Sequence, residues 1–441
     1  MPGGDAVLAI DLALSRASYY TATAGPAPAF APLRGTASCD VAVVGGGLAG
    51  LSAAIELRRR GMDVVLLEAR EVGSGASGRN GGQVIHGLAC DQTVIEGQLG
   101  LADARRVWDM SIEALDLLRE RITRHAIACD WQPGYLGVAC SPGKGRALSA
   151  WADRIESVYG YALERIGPGE MRRWVDSARF HSAIHDPRSG HLHPLKYTLG
   201  LARVAAAEGV RLHAGSPVRE LRQGATPVLR TDAGEVRARQ VLLAGNLYLR
   251  GLARKLEPRI MPVGTYIGCS EVLDPALAAS LIPSRAAVCD TNFVLDYFRP
   301  TPDHRMLYGG RVSYSTATPR DLARSMHRLM VRTFPQLAAS RIEFAWGGFV
   351  DITMNRAPDF GRLDAVGAAP ANVYYLQGFS GHGVAFSGLA GRIVAEAMTG
   401  DAGRFDVFAR LRHRSFPGGT LLRTPALVLA MAWFRLRDML G

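Results

Sequence analysis

Asp40-Val-Ala-Val-Val-Gly-Gly-Gly-Leu-Ala-Gly50 decides the fold. An apolar run enters a glycine-rich turn and then a helix, and Gly45, Gly47 and Gly50 fill the G-x-G-x-x-G spacing. Gly45 permits the tight turn, Gly47 lets a pyrophosphate approach the backbone, and Gly50 lets helix and strand pack closely. The helix N-terminus, where Leu48 and Ala49 stand, offers unpaired N–H groups and a favourable dipole to phosphates. A second apolar run, Val64-Val-Leu-Leu67, ends at Glu68, eighteen residues after Gly50, followed by Ala69 and Arg70. An acid in that place accepts both hydroxyls of an adenosine ribose. A glycine triplet alone is a weak signal, but strand, turn, helix, strand and acid in order within one βαβ length specify a dinucleotide site.

Downstream, Val72-Gly-Ser-Gly-Ala-Ser-Gly-Arg-Asn-Gly-Gly-Gln83 is a loop of small residues whose backbone suits close contact with a ligand. Residues 101–128 carry Val107, Met110, Ile112, Leu115, Leu118 and Ile122 at helical spacing. A helix over 195–208 stops at Gly209, and short strands follow at 211–214 and 218–221, then a hairpin at Gly234 leading into Gln240–Asn246. Residues 262–315 alternate as antiparallel sheet, with 292–299 and 305–309 flanking a turn at 300–303. A helix spans 319–333, a strand spans 372–376, and Gly378-Phe-Ser-Gly-His-Gly-Val384 is a second glycine-rich turn entering a helix that stops at Gly400.

These segments predict an α/β chain of two domains. Residues 1–37, rich in proline from Pro26, form an irregular lead-in. A discontinuous nucleotide domain takes 38–90, 190–255 and 345–405. A mainly antiparallel substrate domain takes 91–189 and 256–344, and 406–441 is a tail helix.

A length of 441 residues suits two domains. The net charge of +11 tempts a nucleic-acid reading, but the basic residues are dispersed, mostly arginine, without a lysine tract or an aromatic RNA-binding signature. Attraction for anionic cofactors and substrates accounts for it better. Six scattered cysteines without a C-x-x-C pair, and an N-terminus unlike a signal peptide, fit a reducing cytoplasm. His181, His185, His191 and His193 lack the acid or cysteine that completes a recognisable metal site, so no metal is expected, and His193-Pro194 reads as a helix start.

Four segments together resemble the flavin-dependent amine and amino-acid oxidase superfamily: Gly45–Glu68, Ser77–Gly82, Leu242–Asn246 and Gly378–Gly383. Within it the chain is most similar to the gamma-glutamylputrescine oxidoreductase group, through Ser18-Tyr-Tyr-Thr-Ala-Thr-Ala24, Ser77–Gln83, Leu192-His-Pro194 and Asn355-Arg-Ala-Pro358. The resemblance runs from about residue 18 to the end. It implies a Rossmann-like FAD-binding domain beside a mainly antiparallel β-sheet substrate domain. The ADP half falls to Gly45, Gly47, Leu48, Ala49, Gly50, Glu68, Ala69 and Arg70. Ser77, Gly78, Arg79, Asn80, Gly81, Gly82 and Gln83 run along the pyrophosphate and flavin. Val218 meets the adenine, and Ala244 and Gly245 close over the nucleotide. Gly378, Ser380, Gly381, His382, Gly383 and Val384 hold the ring edge and ribityl chain. A helix N-terminus at that edge suits the negative charge of a reduced flavin.

Departures from relatives sharpen the reading. No cysteine occupies Gly348–Ile352, before the stretch where sarcosine oxidase attaches its flavin, so non-covalent FAD is expected, with His86 lining the pocket. Ala385 stands where sarcosine oxidase keeps a lysine for the substrate carboxylate, and Ile352 and Thr353 stand near the arginine of D-amino-acid and glycine oxidases. Tyr297 and Arg299 share a strand face and suit an alkyl amine ending in a distant carboxylate. His86, Tyr297, Arg299 and His382 are the candidates at the reacting end, with Tyr248, Tyr266, Trp346 and Asp351 behind them. The expected reaction passes a hydride from a small-molecule amine to the flavin and on to oxygen or another electron acceptor. An amino-acid or N-methyl-amino-acid oxidase is the nearest rival, and a non-catalytic flavin-binding subunit is the rival from another class. The apolar tail 424–434 is too short to span a bilayer, and a docked helix is preferred over membrane-surface contact.

Overall fold

A computed structural model describes residues 11, 14, 17–249, 251–292, 295–310, 321–368 and 370–419. Two large sheets organise them. In the first, five parallel strands run in the order Val373–Gln377, Gly234–Leu243, Gly35–Val44, Val64–Leu67 and Arg211–His213, with Asp359–Arg362 antiparallel on one edge. The central strands read as unbroken apolar runs because both faces are covered. Helices Leu48–Arg59, Pro194–Ala207 and Gly383–Met398 contribute to the core on one side. Burying a side chain such as Phe386 there contributes roughly 1.5–3 kcal/mol. Buried Arg121 of the long helix Leu101–Arg124 bonds Glu56 Oε1 and Ser52 Oγ at 2.8 and 2.7 Å, tying that helix to Leu48–Arg59.

The second sheet has nine strands. Ile342–Thr353, Ile260–Ser270, Met306–Gly310, Tyr297–Pro300 and Ala287–Asp290 pair antiparallel in that order, and then Gln132–Ala139, Ser182–His191 and Gln83–Val84 complete the path. Ala287–Asp290 meets Gln132–Ala139 in parallel, so the sheet is mixed at its middle.

Several expectations change here. Residues 345–353, grouped by sequence with the nucleotide segments, belong instead to the strand Ile342–Thr353, the antiparallel partner of Ile260–Ser270, from Ile260 opposite Thr353 to Ser270 opposite Ile342. Gln83–Val84 also joins the second sheet, so the chain crosses from the first sheet to the second through the glycine-rich loop before Gln83, and it returns between Thr353 and Asp359. The lead-in is not wholly irregular: Ser18 caps the short helix Tyr19–Thr23, and Tyr19 and Tyr20 are buried against Trp346 and Ile267. The strands between 130 and 191, with the helix Pro142–Tyr159 between them, carry no sequence signal strong enough to place them. The helix expected from 319 is Leu322–Thr333, capped by Asp321, and residues 319 and 320 lie outside the described residues. Of the expected tail helix, Gly403–Ala409 is helical and 420–441 lie outside the described residues.

Candidate active site

The parallel sheet ends at the first glycine turn. A Cβ on Gly50 would stand 2.0 Å from the Gly45 carbonyl oxygen, so no larger residue fits. The helix beginning at Leu48 has no side chain capping it through Gly47, and the Leu48 N–H donates to Ser77 Oγ at 3.0 Å. The Glu68 carboxylate accepts from the Gly46 and Arg70 N–H groups at 2.7 and 2.9 Å. Burial raises its pKa while those N–H groups oppose the rise. Ala244 N–H bonds the Val44 carbonyl at 2.8 Å, and Ser216 N–H bonds the Glu68 carbonyl at 2.8 Å, which brings the chain leading to Val218 alongside the acid. The fold therefore gathers Gly45–Gly50, Glu68, Arg70, Ser77, Ala244 and Gly245 at one strand end.

Beyond them lies a cavity of about 280 Å³, near the lower bound of ~300 Å³ for small-molecule sites. Its walls come from the loop (Arg79, Asn80, Gly81, Gln83), from the second sheet (Thr265, Tyr297, Gly348–Val350, Ile352) and from the second glycine turn (Ser380–His382, Val384). Asn80 fixes its own loop, donating to the Ala76 and Ser77 carbonyls at 2.9 and 3.0 Å while its Oδ1 accepts from Gly82 N–H at 2.8 Å. Arg79 is buried, and it donates to the Gly347 carbonyl at 3.2 Å and to Asp11 Oδ2 at 2.9 Å. The Asp351 carboxylate accepts from Gly378 N–H, and burial pushes its pKa up to about 7. His382, at the start of helix Gly383–Met398, is pushed down to about 4 by burial and then by the charges of His86 and Arg356. It is neutral at pH 7.

The FAD implied by the sequence fits these walls. Neither helix that opens onto the site, at Leu48 or at Gly383, is capped by the side chain of its own N-cap residue, and although Ser77 Oγ takes the Leu48 N–H, helix N-termini of this kind favour anionic parts of a ligand. The backbone at Gly381 is left-handed, with φ of +92°, and faces open space.

A second cavity of about 220 Å³ shares Ile85, Cys289 and His382 with the first. His86 lines this one and not the first. Its Nδ1 lies 2.7 Å from Asp186 Oδ2, which also meets Ser189 Oγ and the Tyr161 hydroxyl. Burial would raise the Asp186 pKa, but these hydrogen bonds, led by His86, hold it well below the carboxylate range. Trp151 stacks on the His86 ring at 6.1 Å between centroids, and Trp108 and Tyr135 stand 6.0 Å away.

Tyr297 and Arg299 do share a face, with Phe298 in the core behind the sheet. Tyr297 lines the first cavity, its hydroxyl 3.5 Å from Thr265 Oγ1. Arg299 does not. It is buried, donating to the Gly81 and Leu192 carbonyls and the Tyr20 hydroxyl at 2.8, 3.1 and 3.1 Å. The arginines on the cavity wall are Arg79, already described, and Arg356, held at φ +60° after the strand Ile342–Thr353. Ala385 is buried in the helical core, and Tyr266 and Trp346 are core residues too. The four histidines part company: His181 lies beside Ser182 Oγ, His185 pairs with Glu164, His191 with the Arg285 carbonyl, and His193 caps helix Pro194–Ala207. Sequence reasoning missed Trp108, Trp151 and Gln92 around the second cavity. Trp108 sits beside the core stripe of its helix, and only its contacts distinguish it.

A model of the family described as DAO, FAD dependent oxidoreductase, matches residues 40–397. The chain is 43% identical to the gamma-glutamylputrescine oxidoreductase of Escherichia coli K12 over 428 residues, covering 96% of this chain and 98% of that one. Among solved structures it resembles glycine oxidase from Geobacillus kaustophilus, with a TM-score of 0.66 and 19% identity over 82% of this chain and 95% of that one. It also resembles L-proline dehydrogenase from P. horikoshii, with a TM-score of 0.66 and 20% identity over 89% and 96%. The structural likenesses bear on the fold alone.

Proposed function

Because the chain belongs to the family of FAD dependent oxidoreductases, we propose that it oxidises a primary or secondary amine of the gamma-glutamylputrescine or polyamine type to an imine, which hydrolyses to an aldehyde. The observation that carries this reading is the pair of cavities beside a neutral His382, with no cation at Ala385 to seize an α-carboxylate. Strong likeness to the Escherichia coli relative supports the same substrate class.

FAD, when bound, accepts the two electrons of the amine carbon–hydrogen bond as a hydride. The chain's residues do the rest. Gly45–Gly50, Glu68, Arg70, Ser77, Val218, Ala244 and Gly245 hold the nucleotide. Arg79–Gln83 and Gly378–Val384 fix the ring. Tyr297, Thr265 and the uncharged His382 surround the reacting amine, and a largely apolar wall disfavours the ammonium ion relative to the free amine, whose lone pair assists hydride loss. Binding is non-covalent in this reading, since burial pushes the nearby Cys289 thiol far above the range in which it forms a thiolate. Electrons leave to oxygen or another acceptor.

Arg356 on the cavity wall favours a second reading, an amino-acid or N-methyl-amino-acid oxidase. Anaerobic titration of FAD-loaded protein with diamine derivatives and with amino acids, followed by flavin absorbance, separates the two. Among the described residues no helix is long and apolar enough to cross a membrane. All six thiols are unpaired, which supports the proposed cytoplasmic setting. The tail segment considered for membrane contact lies outside the described residues.

A further inference from the structure

Beside the second cavity, Asp186 gathers four donors. The Tyr161 hydroxyl and the Arg188 N–H reach its Oδ1 at 2.9 and 3.0 Å, and the Ser189 hydroxyl and His86 Nδ1 reach its Oδ2, the latter at 2.7 Å. So many donors keep the acid ionised, and an ionised carboxylate only accepts. The proton of a neutral His86 therefore sits on Nδ1 and leaves Nε2 with its lone pair. Nε2 has no hydrogen-bond partner among the described residues, yet it is not enclosed, and His86 lines the cavity. The Trp151 ring, stacked at 24°, and the edge-on Tyr135 ring hold the imidazole in that attitude.

The other ionisable groups that line the cavity are poor proton acceptors. Burial pushes the Cys90 thiol up to about 12 and raises the Cys289 thiol and the Tyr135 phenol as well, so all three keep their protons. Asp290 is spent: its side chain is fully covered, and it accepts from Arg179 and Asn292 at 3.1 and 2.7 Å. Asp91 is exposed at the rim and caps helix Gln92–Leu99 through Thr93 N–H at 2.8 Å. The Arg188 guanidinium lies over the Tyr161 ring and is paired with Asp116 at 3.0 Å.

We propose that His86 is the proton acceptor of the reaction and that Asp186 is its positioning residue. The inference rests on the amine-oxidation reading above. An alkylamine arrives as an ammonium ion, since its pKa is ~10, and one N–H bond must break before the lone pair can assist hydride loss. The proton leaves the ammonium in the first cavity, passes along water at His382, which lines both cavities, and forms a bond to Nε2 of His86. No electrons are transferred in this step: ammonium and neutral imidazole become free amine and imidazolium, whose charge Asp186 offsets. The imidazolium then gives its proton to water at the Asp91 rim. A cavity of about 220 Å³ has room for such waters, at ~30 Å³ each, and polar groups to hold them. His382 keeps no charge on the way, because burial holds its pKa down to about 4.

The test is anaerobic stopped-flow reduction of the FAD-loaded protein by gamma-glutamylputrescine from pH 6 to pH 10. In the wild type the rate levels off well below pH 10. In His86→Ala, and in His86→Gln, which still donates to Asp186, the rate at pH 7 falls about 100-fold. It keeps rising toward pH 10 in both, because only substrate that arrives as free amine reacts. Added imidazole restores His86→Ala at pH 7. Asp290, pushed up to about 6 by burial, is present in every variant, so the difference between profiles belongs to His86. Nitrogen-15 histidine spectra, assigned by difference against His86→Gln, place the proton of neutral His86 on Nδ1. Asp186→Asn moves it to Nε2, as an amide N–H donates in place of Oδ2. FAD content and melting temperature check each variant. Unchanged pH profiles in both His86 variants, or a wild-type proton on Nε2, overturn the proposal while amine oxidation stands. A proton that stays on Nδ1 in Asp186→Asn removes Asp186 as the positioning residue. If no amine bleaches the wild-type flavin at any pH, amine oxidation falls and the proton route falls with it.

Discussion

Arg299 Nε donates to the carbonyl oxygen of Gly81 at 2.8 Å, joining strand Tyr297–Pro300 to the loop that walls the first cavity. The neighbouring Tyr297 ring fills the other side of the same glycine, since a Cβ at Gly81 would lie 2.5 Å from Tyr297 Cε2. A residue suited by sequence to greet a substrate carboxylate is instead the brace that sets where the cofactor loop lies.

Arg299→Met therefore acts on cofactor binding first. Loss of a buried, charged hydrogen-bond donor costs about 1.5–3 kcal/mol per bond, so the variant melts lower and binds FAD at least tenfold more weakly in fluorescence titration. A variant with normal FAD affinity and normal melting, but a raised KM for amines, would contradict the brace and restore the substrate-anchor reading.

The difference between these two roles marks what a sequence shows. The Gly45–Glu68 unit is legible because every part of it is local: turn, helix start and acid lie within one βαβ length. The strand alternation of Tyr297 and Arg299 is legible for the same reason. What occupies the space in front of that face is not, because Gly81, Leu192 and Tyr20 arrive from three distant segments. Ile342–Thr353 shows the same limit in the fold. Its sheet is decided by pairing with Ile260–Ser270, and nothing within the strand records that partner. The second cavity is the least legible feature, since its tryptophans sit on helices whose periodicity reports only packing.

Glu68 and Gly50 test the nucleotide end. Glu68→Ala removes the acceptor held by Gly46 and Arg70 N–H groups and weakens FAD binding roughly 10- to 100-fold, the equivalent of ~1.5–3 kcal/mol. Gly50→Ala forces a methyl to within 2.0 Å of a backbone oxygen and yields protein purified without flavin. Retention of full yellow colour by Gly50→Ala would show that the turn is looser than the structure has it.

Asp351 gives stability a pH dependence. Its folded pKa is raised by burial to about 7, above the ordinary carboxylate value. Such a group contributes stability fully below the unfolded pKa and loses it as pH rises through about 7, because the buried acid must ionise. Flavin-free protein therefore loses melting temperature between pH 5 and pH 8, and Asp351→Asn, which still accepts from Gly378 N–H, loses less over that range. Equal slopes in the two proteins would remove Asp351 as the source.

Oxidation of an amine of the gamma-glutamylputrescine type by the FAD-loaded chain is open to direct test. Anaerobic addition of gamma-glutamylputrescine to the FAD-loaded protein tests it most directly, read as flavin absorbance against time. Rapid, stoichiometric bleaching of the flavin is expected, with formation of an aldehyde, and much slower bleaching by sarcosine, glycine or D-alanine. A flavin that stays oxidised with gamma-glutamylputrescine but bleaches with those amino acids would contradict it.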